Sequence, residues 1–500
     1  MRSTAALWRR PAELETRPAL SSDLVADVAI VGGGITGLTC AVFLAEAGKR
    51  VVLLEGRQLG AGVTGRTTAH LTEAVDIRYH RLESTLGDEA ARLVRAASRQ
   101  AIETIASLSS KVECGFQRIN GYLFTEHERQ MSELDAELLA AERAGAQVSR
   151  SQVPLPFSVR AGICFEDQAQ IEPLSYVLAL SQRLRKTSAQ IFEATPVLDV
   201  DGSSGAFRVS TERGHTVTAD WVVMATHAYF GKLAVQLKLA QYRSYALAGP
   251  ATATHAGLFW DMDDPYHYVR RAFVDAQPFV IVGGADHRTG VVPEDGADAP
   301  YRELEGYAAR LGMKPTLRWS AQVVESADGL PLIGPIEQDG RLLIATGYGG
   351  NGMTFGTVAA RLLADAVLGS NNPYASLFRP RRAHVLASAT AVVSENAETA
   401  AHLVAGHLKP VSHAPLSELA PGDGRVVQHG KEKLAVYRDD AGELHRVSAT
   451  CTHQGCQVAF NAVERSWDCP CHGSRFDVDG AVLNGPATQP LATVTDSSAT

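Results

Sequence analysis

The stretch "DVAIVGGGITG", residues 27–37, sets the frame for the chain. Val28 to Val31 form an apolar run of the kind shown by a strand buried on both faces. Gly32, Gly34 and Gly37 follow in G-x-G-x-x-G spacing, and "LTCAVFLAEAG" continues with helical apolar spacing. A second apolar run, "RVVLLE", ends at Glu55. A strand, a glycine turn, a helix, a second strand and a closing acid together form a dinucleotide-binding unit. The glycines allow a tight turn and close approach to a pyrophosphate at the helix N-terminus; the acid accepts the hydrogen bonds of a ribose diol. A plain glycine-rich turn is the simpler reading of the motif alone, and the two strands with Glu55 argue against it.

The bulk numbers agree with a large folded chain. Its 500 residues are 45% hydrophobic and 20% charged, enough for several domains with real cores. A net charge of −8 gives no support to a nucleic-acid partner. The first 20 residues lack a continuous apolar segment, and no run of apolar residues reaches membrane-spanning length. A cytoplasmic protein is expected. In that compartment clustered cysteines point to metal or redox chemistry before a disulfide framework.

The nucleotide can be NAD or FAD, and three further segments bear on the choice. "GRQLGAGVTGRTTAH" (56–70) is a second loop rich in glycine and threonine. "TADWVVMAT" (218–226) is another apolar strand. In "DGLPLIGPIEQDGRLLIATGYGGNGMTFGTVAARLLADAVLG" (328–369) a strand runs into a glycine loop and then a helix. With these segments, roughly residues 24–375 resemble the D-amino-acid-oxidase-like family of FAD-dependent oxidoreductases, which holds glycine, sarcosine and dimethylglycine oxidising enzymes. The resemblance implies an extended FAD, with Gly32, Gly34 and Gly37 at the pyrophosphate, Glu55 at the adenosine ribose and Val197 near the adenine. It brings Gly349, Gly350, Asn351, Gly352 and Met353 to the isoalloxazine ring, where a helix N-terminus favours negative charge on reduced flavin. A single dinucleotide fingerprint leaves no separate NAD(P)H site.

"GRTTAHLT" (65–72) places Thr67, Thr68 and His70 in the short Thr-Thr-x-His pattern of relatives that attach FAD covalently. Four residues are a short match, and a histidine hydrogen-bonded near the flavin without a bond to it is the preferred reading. Thr67 and Thr68 fit flavin or phosphate contacts in either case; Arg66 is a phosphate or flavin contact, or simply exposed. In "YHYVRR" (266–271) alternation puts Tyr266, Tyr268 and Arg270 on one strand face, as an aromatic wall with a carboxylate anchor or as an ordinary outer surface. His287 in "GGADHRTG" is a further pocket candidate, against the simpler reading of a loop histidine. The catalytic residues are otherwise unassigned. No base is required in principle, because hydride can pass from a neutral amine to flavin while the protein positions it and excludes water.

Near the end, "CTHQGC" (451–456) and "CPCHGS" (469–474) each supply one Cys-and-His pair. Structural zinc usually pairs Cys with Cys and His with His. One of each per loop suits a Rieske [2Fe–2S] cluster, with two thiolates on one iron and two imidazoles on the other. The stretch resembles Rieske proteins, which implies Cys451, His453, Cys469 and His472 as metal ligands and a disulfide between Cys456 and Cys471. It also implies that Ser474 donates to a cluster sulfur. Phe476 stands where the highest-potential relatives carry a tyrosine donor, so an intermediate potential is expected. Cys40, Cys114 and Cys164 read as buried small apolar residues.

The expected architecture is therefore an α/β Rossmann-like FAD-binding domain with an α+β substrate domain, plus a C-terminal all-β Rieske domain. Residues 1–23 form an extension and 24–375 the oxidoreductase, with FAD-binding segments about 24–75, 150–230 and 320–375 and a substrate domain about 76–149 and 231–319. Residues 376–415 read as a helical linker and 416–500 as the Rieske domain, whose usual last strand is short or replaced. The expected activity is oxidation of a C–N bond in a small-molecule amine, N-methyl compound or amino acid. Electrons would pass through the cluster to a protein or oxygen acceptor. An electron-transfer component feeding a partner enzyme is the alternative, and a redox sensor that turns nothing over is a third possibility. A Rieske oxygenase would need an iron site after the cluster, and only about 28 residues follow His472 (500 − 472).

Overall fold

The computed structural model describes residues 6–382 and 415–494, apart from 203–205, 232, 251–255, 294, 337–339 and 431. Most of the expected linker helix, and residues 495–500, lie outside the described residues. Strand Leu24–Val31 pairs in parallel with Thr216–His227 on one side and Val51–Leu54 on the other. Its alternate residues feed two different cores. Val28 and Ile30 pack in the cluster that includes helices Ile35–Glu46 and Gly352–Leu368; Ala29 and Val31 pack with Phe207, Val222 and Met224. Burial on both faces explains the unbroken apolar run in the sequence. Strands Leu342–Thr346 and Leu332–Pro335 extend one edge of the sheet and Gln190–Phe192 the other.

A second sheet runs in the order Leu317–Ser326, Leu239–Pro250, Gln277–Arg288, His267–Val274, Leu258–Asp261, Gln117–Thr125, Ala161–Gln170, His70–Leu71. Its pairings are antiparallel except between Leu258–Asp261 and Gln117–Thr125. Two of these strands fall in stretches that the sequence reads differently. Gln117–Thr125 interrupts residues 75–150, which read as helical from stretches such as "EAARLVRAASRQAIETIASLSS" and "SELDAELLAAERAGA", and Ala161–Gln170, within the expected FAD-binding segment 150–230, pairs here and not in the nucleotide sheet. Pairing over long sequence separations decides both, and local pattern does not report it. The helical part of that segment is present. Helix Asp88–Ser109 buries Ala90, Ala91, Val94, Ala97, Ala101, Ile102, Ile105 and Leu108, one apolar stripe at helical spacing.

The C-terminal part is two small antiparallel sheets. One holds Gly424–His429, Glu432–Arg438 and Leu444–Ser448; the other holds Ala459–Asn461, Ser466–Asp468, Arg475–Phe476 and Val482–Asn484. The end of the described chain runs beside the first, where Ser448 N donates to Ala492 O and Thr493 bridges Val447. A buried charge network holds this part to the second sheet. Arg243 donates to Glu464 at 2.6 Å, Arg475 also bonds Glu464, Arg475 bonds Asp468 at 2.8 Å, and Ser320 hydrogen-bonds both Arg243 and Glu464. Removing one partner from such a network leaves buried charge uncompensated. Glu464→Gln is expected to destabilise the holoprotein by ~3–5 kcal/mol, measured by chemical denaturation against wild type. No helix among the described residues is long and apolar enough to cross a membrane.

Candidate functional site

The glycine turn has the geometry that its spacing requires. Gly32 sits at φ +111°, and a Cβ there would lie 2.4 Å from the Ala225 carbonyl oxygen. A Cβ on Gly37 would lie 2.0 Å from the Gly32 carbonyl oxygen, so only glycine lets the helix close onto the turn. The N-terminus of helix Ile35–Glu46 has no side-chain cap, although Ile35 N donates to Thr64 Oγ1 at 3.2 Å. Its first amides thus face the cavity with the positive end of the helix dipole. Glu55 accepts from Gly33 N at 2.7 Å and from Arg57 N at 2.8 Å. Burial pushes its carboxyl up, and these two donors pull it down. Gly37→Ala should drive the helix off the turn and destabilise the protein by ~1–3 kcal/mol, as overpacking does. Thermal melting and flavin content of the purified variant check this.

A cavity of about 670 Å³ runs from this turn past Glu55 and Val197 to His70, Tyr266, Tyr268 and residues 349–353. Arg66, Thr67 and Thr68 line it too. The backbone carbonyls of Arg66 and Thr67 are fixed by the indoles of Trp319 at 2.8 Å and Trp8 at 2.6 Å. His70 Nδ1 pairs with Thr68 Oγ1 at 3.1 Å, while Nε2 is buried without a partner. Burial, then the nearby Arg270 charge, pushes the imidazole down to about 3, so the ring is neutral at ordinary pH. Asp76 ties the loop at 349–353 in place: its carboxylate accepts from Gly350 N, and its backbone N donates to Asn351 Oδ1 at 2.9 Å.

The structure separates the pocket candidates. Tyr266 and Tyr268 line the cavity with ring centroids 5.7 Å apart, and Tyr268 stands edge-on to His70 at 5.6 Å. Arg270 is absent from the lining. Its guanidinium donates to the carbonyls of Thr68 and Ala69 at 2.8 Å each and of Ile171 at 3.2 Å, and it stacks over Trp8. It clamps the His70 loop from behind, with those donors committed to backbone. His287 also stays off the cavity, stacked on Tyr245 at 5.4 Å. A β-bulge is the cause. Arg243 pairs with His287 and Tyr245 with Gly284, so Ala285 and Asp286 together oppose Ser244. Gly284 at φ +130° and Ala285 at φ 53° carry the extra residue. The bulge turns Asp286 to the cavity in place of His287.

Asp286 is the residue that the sequence reading missed. Its Oδ1 is buried without a partner, and burial raises the carboxyl to about 7. Burial raises Asp76, on the same cavity, to about 6. Ser244 joins the group, its Oγ 3.0 Å from Tyr268 Oη. Two carboxyls that titrate near neutrality beside two tyrosines can bind an amine and hold its proton. The paired glycines before Ala285 were the available signal of a bulge.

At the far end of the chain two loops repeat one construction. Gly455 N donates to the Cys451 carbonyl and Gly473 N to the Cys469 carbonyl, each at 3.0 Å. Cys451 and Cys469 are free and buried. The rings of His453 and His472 lie 4.9 Å apart, and both Nδ1 atoms are buried without partners. A disulfide joins Cys456 to Cys471, which takes these two sulfurs out of any ligand set. Two thiols and two orphaned imidazole nitrogens are the donor set of a Rieske cluster, so the residues fit the group. Ser474 Oγ accepts from Ala487 N at 3.0 Å and donates its hydrogen to the Cys451 sulfur. Phe476 is fully buried and offers no hydroxyl.

Comparison with known proteins agrees with both halves. The profile described as "FAD dependent oxidoreductase" matches residues 27–366, and that of the "Rieske [2Fe-2S] domain" matches 409–495. The chain is 34% identical to YhfW of Bacillus subtilis (strain 168), named a Rieske 2Fe-2S iron-sulfur protein, over 97% of this chain and 96% of that protein. It is 26% identical to the glycine oxidase of Bacillus licheniformis, over 69% of this chain and 93% of the relative. It is 25% identical to the gamma-glutamylputrescine oxidoreductase of Escherichia coli (strain K12), over 70% and 85% respectively. The crystal structure of glycine oxidase from Geobacillus kaustophilus superposes with a TM-score of 0.60 at 18% identity, covering 72% of this chain and 99% of that one.

Proposed function

The chain belongs to the D-amino-acid-oxidase-like family of FAD-dependent oxidoreductases and carries a Rieske [2Fe–2S] domain; from that premise we propose that it oxidises a C–N bond of an amine, N-methyl compound or amino acid and sends the electrons through the cluster to an external acceptor. The observation that carries this reading is Asp286, whose carboxyl keeps one oxygen, Oδ1, buried and unpartnered on the cavity it shares with His70 and residues 349–353. An amine substrate brings the complementary charge. Asp286 and Asp76 hold its ammonium, and a carboxyl that titrates near 7 takes the proton that must leave before oxidation. When bound, FAD supplies the two-electron acceptor for hydride from the carbon next to nitrogen. Tyr266 and Tyr268 form the wall against which the substrate lies, and water hydrolyses the released imine.

Arg78 also lines the cavity, and its Nη1 is buried without a partner. It is the position for a carboxylate and supports the amino-acid members of the class. Gly32, Gly34, Gly37 and Glu55 would hold the nucleotide; Cys451, His453, Cys469 and His472 would hold the cluster. His70 contacts the flavin without a covalent bond in this reading.

The test is anaerobic. Pools of secondary amines, N-methyl compounds and amino acids are added to one set of samples, and NAD(P)H to another. Flavin bleaching is followed by absorbance and the reduced cluster by electron paramagnetic resonance. Bleaching by an amine pool followed by the cluster signal supports the reading. Reduction by NAD(P)H alone overturns it and makes the protein an electron-transfer component.

A further inference from the structure

The wall between the cavity and the cluster loops is one side chain thick at Gln322. This residue lies in strand Leu317–Ser326, is 1% exposed and lines the cavity with its neighbours Ala321 and Val323. On the cavity side, its carbonyl accepts from His227 Nε2 at 3.1 Å. Burial pushes His227 down to about 4, so the ring is neutral, and its bond to a carbonyl assigns the proton to Nε2. On the cluster side, Gln322 Nε2 donates to the Gly473 carbonyl at 2.9 Å, one residue from His472. Gln241 Oε1 accepts from the same Nε2 and fixes the amide. The approach is close over a wider patch, since a Cβ on Gly290 would lie 2.5 Å from Pro470 N in the same cluster loop.

We propose that His227, Gln322 and Gly473 form the electron bridge between the flavin cavity and the cluster loop, with the Gln322 side chain closing it. The proposal rests on the reading that substrate electrons reach the cluster. Electron tunnelling falls off steeply through empty space and less steeply along covalent and hydrogen bonds. From the His227 ring to His472 every link here is one or the other, and the path is part-buried at His227 and buried from Gln322 to Gly473. Each C–N oxidation to an imine releases two electrons and two protons. The electrons cross one at a time and leave to a one-electron acceptor in solution, and the protons leave through cavity groups to water. Gln322 is thus a positioning residue for electron passage, with no part in substrate binding.

Gln322→Leu keeps the volume and the backbone carbonyl that bonds His227 but removes the donor to Gly473. Gln322→Glu keeps the shape and replaces that donor with an acceptor. In substrate-free holoenzyme, laser-flash photoreduction of the flavin with a sacrificial donor starts electron passage, and cluster bleaching reports its arrival. Both variants are expected to slow the bleaching about 10–100-fold, the size typical of outer-shell partners. Flavin and iron content, cluster potential and resonance line shape should be unchanged. Equal rates in variant and wild type overturn the bridge, and so does a potential shift large enough to account for the slowing. If the cluster fails to bleach even in wild type, the relay itself fails, a result distinct from failure of the bridge alone.

Discussion

Asp286→Asn is expected to lower kcat/KM for the amine substrate about 10²–10⁴-fold, the usual worth of a positioned acid or base. The substitution keeps shape and hydrogen-bonding capacity but removes the charge that meets an ammonium and the site that takes its proton. The pH dependence separates this role from a structural one. Burial lifts the Asp286 carboxyl to about 7, well above its ordinary value of 3.8. A carboxyl raised on folding supports stability below its unfolded pKa, and that support is lost as pH rises through the folded value. Wild type should therefore lose stability as pH rises from about 4 to about 7, just where the ionised form needed for catalysis appears. The variant should lose the part of the rise in kcat/KM that follows a group near 7, keeping only what Asp76 contributes near 6, and melt no lower than wild type above this window. A variant that keeps the wild-type pH–rate profile would remove Asp286 from the reaction.

Cys469→Ser is expected to abolish the cluster. Cys469 is 1% exposed, and no other free thiol in its loop can replace it, because Cys471 is held in the disulfide. A serine hydroxyl is a hard ligand that stays protonated where a thiolate would bind iron. Purified variant should contain flavin but neither iron nor acid-labile sulfide, and should show no resonance signal after reduction. Substrate should still bleach the flavin anaerobically, while turnover with a one-electron dye falls to background. Full dye-linked turnover without iron would show that electrons leave by another exit.

Some of this was legible in the sequence because a short stretch carries both the signal and the chemistry. The glycine spacing at 32, 34 and 37 demands the turn that is seen, and the Cys–His loops bring their own ligands, turns and disulfide partners. The substrate end was harder to read. Alternation put Tyr266, Tyr268 and Arg270 on one strand face without saying which way it looks; the two tyrosines line the cavity, while Arg270 is committed to three carbonyls from other segments. A single inserted residue at Ala285 exchanged Asp286 for His287, and parity arguments fail at any bulge. Gln322 and His227 carried no signal of their own. Their roles depend on two domains meeting, which no local pattern encodes.

The cavity wall also constrains how the protein matures. Gly32 and its neighbours close one side, and residues 481–485 with Ala487, Thr488 and Pro490 close another. The nucleotide's first contacts are thus translated early, while part of the enclosure leaves the ribosome more than 400 residues later. A nascent chain can begin to grip its flavin long before the compartment around it is sealed. Sealing must then wait for the C-terminal module to fold and dock against the rest.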